Sequence, residues 1–296
     1  MIFYLKKFLV ACATKGSLAI LGCETCVIMK PNHHKIGVGA TEALSLRVSV
    51  AALVSMQFNS PEDGQVMLAL ERTATLREFG GRSEVVVRAK PFGGGVRLTN
   101  PQELEEMIGN FHYDSKRSRR EMDFRIQIHP ASWEKIKKIC RGHLQETEKK
   151  ILDFSPEREL LEEFEDNLNV RITRDQYSLK LVEIIIEDSP EKTESVRAQG
   201  LPTVRIYYVF EARMNDPEII KMMLSNSRRY SDRNLQIMAL EDARRGGKGR
   251  ANAILALGLN DLKELYGSIP MGRRNGPIHV GEHQLDGNVH AILMLP

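Results

Sequence analysis

A chain of 296 residues with 42% hydrophobic content is long enough to bury a core, and its four cysteines are too few for a disulfide-stapled scaffold. The 27% of charged residues fits a soluble protein, and a net charge of +3 is too mild to argue for a nucleic-acid partner. Nothing in the sequence demands oxidation or a membrane, so a cytoplasmic location is expected, with neither membrane nor nucleic acid as partner and the oligomeric state left open.

At the N-terminus, Lys6 and Lys7 precede a short apolar run that resembles a weak signal peptide and is too short to span a bilayer. Cys23 and Cys26 have the C-x-x-C spacing, with His33 and His34 close behind, but no second pair completes a zinc site. Residues 1–43 are expected as an extension, 44–266 as the folded domain, and 267–296, rich in Gly, Pro and His, as a tail.

Residues 45–57 alternate as a strand rich in Val and Leu, and a turn cluster at 59–64 leads to a second strand at 65–71. A third strand at 84–90 runs into Pro91-Phe92-Gly93-Gly94-Gly95. A short helix follows at 101–110, then a polar, basic stretch, a short strand at 124–128, and a helix at 131–150 with Trp133, Ile136, Ile139, Cys140 and Leu144 on one stripe. Pro156 opens the next helix, with Ser155 as its expected N-cap. Strands at 177–186 and 203–213 come next. The second of these carries Val204, Ile206, Tyr208 and Phe210 on one face and Arg205, Tyr207, Val209, Glu211 and Arg213 on the other. From Pro217 to Tyr266 the pattern reads as helical, broken at Gly246-Gly247-Lys248-Gly249. The basic clusters at 116–120 and 244–250 are either solvated surface or phosphate contacts.

Pro156-Glu-Arg-Glu-Leu-Leu-Glu-Glu-Phe164 is the segment that points to chemistry. On a helix Glu159, Glu162 and Glu163 stand at i, i+3 and i+4, which puts three carboxylates within one turn. Leu160, Leu161, Phe164 and Leu168 occupy another face and can pack into a core. Adjacent carboxylates repel unless a cation lies between them, and hard oxygen ligands suit Mg²⁺ or Mn²⁺. The same spacing also suits an ordinary solvated acidic face.

The surroundings of this helix resemble the Nudix hydrolases. Arg158-Glu159-Leu160-Leu161-Glu162-Glu163 matches the helical half of that family's motif, and Gly93-Gly94-Gly95-Val96 stands where its glycines end a strand. The resemblance implies an α/β (α+β) fold, a mixed sheet sandwiched by helices, with a long insertion at 98–152 splitting the motif. Two further departures are plain: the glutamate soon after the glycines has no clear counterpart, Glu103 and Glu105 being only nearby, and Glu165 replaces the glycine that ends the motif helix.

By that resemblance Glu159, Glu162 and Glu163 would bind Mg²⁺ or Mn²⁺, Arg158 would brace them, and Glu162, Glu163 and Glu211 would carry catalysis. Gly94, Gly95, Arg205 and Tyr207 would meet the substrate. The implied activity is cleavage of a diphosphate linkage in a nucleoside diphosphate derivative. Two other readings stand beside it: a weakened Nudix-like module that only binds or senses a nucleotide, and an assembly role for the insertion.

Overall fold

The computed structural model describes residues 46–79, 81–142, 151–192, 200–270 and 276–293, all within one compact unit, Glu42–Pro296. The extension expected at 1–43, with its Cys23–Cys26 pair, lies outside the described residues.

The first part of the chain forms β1 (Leu46–Asn59), β2 (Val66–Phe79), β3 (Arg82–Lys90), β4 (Phe92–Gly95) and β5 (Arg97–Leu98). Next come α1 (Pro101–Ile108), β6 (Phe111–Tyr113), α2 (Lys116–Glu121), β7 (Arg125–Ile128), α3 (Trp133–Gly142) and β8 (Leu152–Asp153). Then follow α4 (Pro156–Leu168), β9 (Tyr177–Lys192), β10 (Pro202–Met214), α5 (Pro217–Arg229) and α6 (Asp232–Arg244). The chain closes with β11 (Arg250–Gly258), α7 (Leu259–Ser268), β12 (Ile278–Val280), β13 (His283–Leu285) and α8 (Val289–Leu293). Among the described residues no helix is long and apolar enough to cross a membrane.

The fold is mixed α/β, with eleven of these strands in one sheet. Its centre is β1, which pairs in parallel with β10 from Arg47↔Thr203 to Gln57↔Arg213. The other edge of β1 is shared in turn by β7, β4 and β2, all antiparallel. A strand hydrogen-bonded on both edges and covered on both faces has no wet side, which is why β1 reads as a nearly continuous apolar run. Its even-numbered side chains, Val48, Val50, Ala52, Val54, Met56 and Phe58, enter the core under α1, α3, α4 and α5, whereas Ala51 and Leu53 face α7 and α8. Helices thus cover both faces of the sheet.

The segment 98–152 leaves and re-enters at one place: β5 pairs with β8 through Arg97↔Asp153 and Leu98↔Leu152. Closing a long excursion costs little more than closing a short one, so the chain can fold between these points. It is not a detached unit, because β7 joins the edge of β1 and Trp133, Ile136 and Cys140 of α3 pack with Val204, Ile206 and Tyr208 of β10. The apolar stripe of α3 is therefore core of this domain. The helix read over 131–150 begins at Trp133, after a 3₁₀ turn at Pro130–Ser132, and residues 143–150, Leu144 of the stripe among them, lie outside the described ones.

The structure differs from the sequence reading at three further points. Residues 250–258, read as helical, form β11, which pairs with β2 from Arg250↔Thr75 to Gly258↔Met67. A short apolar run buried on both sides carries no period that separates strand from helix, and its alanines favour helix, a preference that pairing with β2 overrides. The Gly246–Gly249 loop accordingly joins a helix to a strand. The segment after Gly267, expected as a loose tail, places Leu285, Val289, Ala291, Ile292 and Leu293 in the core with Leu68, Leu70 and Leu255.

Candidate functional site

α4 starts with Pro156, whose missing N–H costs nothing in a first turn. Ser155 occupies the cap position, but its side chain makes no capping hydrogen bond, contrary to expectation. Leu160 and Phe164 are fully buried, and the Phe164 ring stacks on Phe92 of β4 at 5.4 Å. That stack seats the helix against the glycine strand. The helix runs one residue short of Asn169, which takes the left-handed conformation at φ 56 and donates its N–H to the Glu165 carbonyl at 2.8 Å. Asparagine thus performs the turn that the expected glycine would have made, one helical turn later.

The three motif glutamates do not share one environment. Glu159 and Glu162 are both held by Arg158, whose guanidinium contacts Glu159 and forks onto Glu162 at 3.0 Å. Glu162 is 60% exposed, so its share of this fork is a weak surface interaction. Glu163 turns inward. It accepts the Gly93 N–H at 2.7 Å and faces the Lys90 ammonium at 3.4 Å.

Both motif glycines lie against carboxylates. A Cβ on Gly94 would stand 2.5 Å from Glu159 Oε2, so β4 and α4 approach this closely only because that position lacks a side chain. Gly95 meets a different group: a Cβ there would stand 1.9 Å from Oδ1 of Asp123. Asp123 is buried and paired with Arg125 at 2.8 Å, and burial raises its carboxyl above the usual range.

The sequence reading missed the innermost group. Glu71 of β2, 1% exposed, is paired with Lys90 Nζ at 2.5 Å and with Arg250 at 3.1 Å. Burial pushes the Glu163 carboxyl up to about 8, with Glu71 beside it adding to the shift against Lys90. Burial acts on Glu71 in the same sense, but Lys90 outweighs it and holds that carboxyl below the usual range. Lys90 is itself raised, because the two carboxylates overcome its own burial. The signal available in the sequence was a Glu-Arg pair ending an apolar strand run and a Lys ending the next, opposite one another in the register Glu71↔Lys90.

Three expected site residues lie elsewhere. Phe210 and Ala212 of β10 pack towards α4, so strand alternation sends Glu211 to the opposite face, where it pairs with Lys180 at 3.1 Å. Arg205 and Tyr207 share that opposite face: Arg205 pairs with Glu187 at 3.2 Å, and the buried Tyr207 hydroxyl donates to Asn288 at 2.9 Å. The Tyr207 contact docks the C-terminal segment, the other two join β10 to β9, and none of the three lines the glutamate site.

His290 of α8 completes that docking by contacting Glu187 at 3.1 Å. Burial lowers its pKa, but the hydrogen bonds to Glu187 and the Gly287 carbonyl, with the Glu187 charge, together outweigh burial and raise it above 6.5. Its contribution to stability is therefore full below about pH 6.5 and lost as pH rises through the folded-state value. Urea unfolding between pH 5.5 and 8.5 should show this decline in wild type and a shallower one in His290→Gln. Equal slopes would remove the pair from the account.

Hard carboxylate oxygens beside a glycine floor have the donor chemistry that a divalent cation needs. Among the described residues no three His, Cys, Asp or Glu side chains already converge to hold one. Arg158 and Lys90 lie against the carboxylates instead.

A scan of the sequence against protein-family models finds no match, and no curated protein matches it. Among solved structures, a MutT/nudix family protein from Enterococcus faecalis is similar at 11% identity and a TM-score of 0.20, over 60% of this chain. The match spans 39% of that protein's length.

Proposed function

We propose that this chain is a Nudix-like hydrolase that cleaves the diphosphate linkage of a nucleoside diphosphate derivative at the face between β4 and α4, with Mg²⁺ or Mn²⁺. The observation that carries the reading is the meeting of two distant stretches of sequence. Gly93 donates its N–H to Glu163, and the bare Gly94 lies against Glu159. Glu159 and Glu163 would hold the ion, with Glu162 behind them on Arg158. When bound, the ion supplies charge on the diphosphate oxygens and an activated water.

The chain's own residues do the positioning. Arg158 fixes the Glu159 carboxylate, and the Gly93 N–H fixes that of Glu163. Glu71 and Lys90 set the protonation of Glu163. The side-chain-free Gly93–Gly95 stretch of β4 lets the Glu159 and Glu163 carboxylates lie against its backbone.

Incubation with a panel of nucleoside diphosphate derivatives and Mn²⁺ tests this. At least one member should release phosphate-bearing products, and Glu163→Gln, which keeps an acceptor for Gly93, should cut the rate at least about 100-fold. A second reading, a binding or sensor module, is favoured by one feature: Lys90 Nζ stands between Glu71 and Glu163, where it already supplies a positive charge to both. That reading prevails if no member turns over and one raises the unfolding temperature.

A further inference from the structure

The basic run at residues 116–120 takes no part in the β4–α4 face. It forms α2, which with β6 and the start of α1 lines an open pocket of about 450 Å³. Phe111 and Tyr113 line it with half-buried rings, centroids 5.7 Å apart and 73° between planes. Lys116 and Arg119 also line it, both exposed and neither ion-paired with a carboxylate among the described residues. Glu105 of α1 contributes a carboxylate to the same pocket.

This wall is anchored to the main sheet. The buried Ser118 donates to Asp114 at 2.6 Å, and Asp114 pairs with the buried Arg47 of β1 at 2.7 Å. The two cations are therefore presented by a fixed element rather than by a free loop.

A ligand for this pocket needs a flat apolar body for the rings, an anionic end for Lys116 and Arg119, and a donor for Glu105. A nucleotide has all three: bases stack on aromatic rings, guanidinium and ammonium groups bind phosphate, and an exocyclic amino group donates. We propose that this pocket binds one nucleoside monophosphate unit, independently of the β4–α4 site. The charge pattern favours a single unit over a strand. Arg117 and Arg120, which would continue a basic track, share the single carboxylate of Glu121, at 2.8 and 3.3 Å, which offsets one of their two charges. A nucleic-acid backbone would need that track to extend.

Isothermal titration of the full chain in EDTA with AMP, adenosine, inorganic phosphate and a ten-nucleotide single strand tests the proposal. AMP should bind at one site, with adenosine and phosphate each at least about tenfold weaker. The double substitution Lys116→Ala, Arg119→Ala should weaken AMP at least about tenfold while leaving the unfolding temperature in place, because both side chains are exposed. AMP binding should persist in Glu163→Gln, which separates this pocket from the β4–α4 face. The proposal is overturned if AMP does not bind, if phosphate binds as tightly, or if the double variant matches wild type. A strand binding tenfold tighter than AMP would replace the nucleotide with nucleic acid as the occupant.

Discussion

Gly93→Ala is expected to cost roughly 3–4 kcal/mol of folding stability. Gly93 sits at φ +114, a conformation that L side chains rarely adopt. A Cβ there would also stand 2.1 Å from the Ala52 carbonyl oxygen, which is backbone and cannot rotate away. β1 cannot retreat, because at this level it is paired with β4 on one edge and β10 on the other. Urea denaturation of wild type and variant measures the loss. A loss under about 1 kcal/mol would mean that β4 shifts freely, and the close seat of Gly94 on Glu159 would lose its support.

Lys90→Met is the second large effect. Methionine keeps much of the stem and removes the charge between Glu71 and Glu163, leaving Arg250 as the remaining partner of Glu71. Removing one member of a fully buried ion pair costs about 3–5 kcal/mol. The Lys90 side chain is 37% exposed, so a discounted loss of about 2–3 kcal/mol is expected at pH 8. The loss should shrink towards pH 5. Glu163, raised in the folded state, gains stability from its proton below the unfolded value of 4.5 and loses it as pH rises through about 8. Mn²⁺ should restore stability to Lys90→Met more than to wild type. A variant as stable as wild type at pH 8 would show that the lysine does not neutralise this pair.

Much of the fold was legible where one physical signal dominates. The even side chains of β10 and the apolar stripe of α3 followed from simple periodicity, and both pack as that periodicity requires. α4 was legible because Leu160 and Phe164 recur at helical spacing and are buried, although Leu161, expected beside them, is exposed and Glu163 turns inward. β11 was not, since an alanine-rich strand hydrogen-bonded to β2 and covered on both faces carries no amphipathic period. Its position matters to the site, because Arg250 at its start reaches Glu71.

The site itself was half legible. Arg158, Glu159, Glu163, Gly93 and Gly94 are brought together, but their inner partners Glu71 and Lys90 come from neighbouring strands whose pairing fixes them. No local pattern marks a charged residue that ends an apolar run as buried rather than solvated. Glu211, Arg205 and Tyr207 share one face of β10 as the alternation requires, but α4 packs on the other face, which the strand's own alternation does not decide.

The claim that the β4–α4 face takes a divalent ion is tested most directly by Mn²⁺ titration, followed through the loss of the free-ion paramagnetic resonance signal. Wild type should take up one ion, and Glu159→Gln and Glu163→Gln should each weaken that uptake at least about tenfold. Equal uptake by wild type and both variants, or none by wild type, would contradict the account.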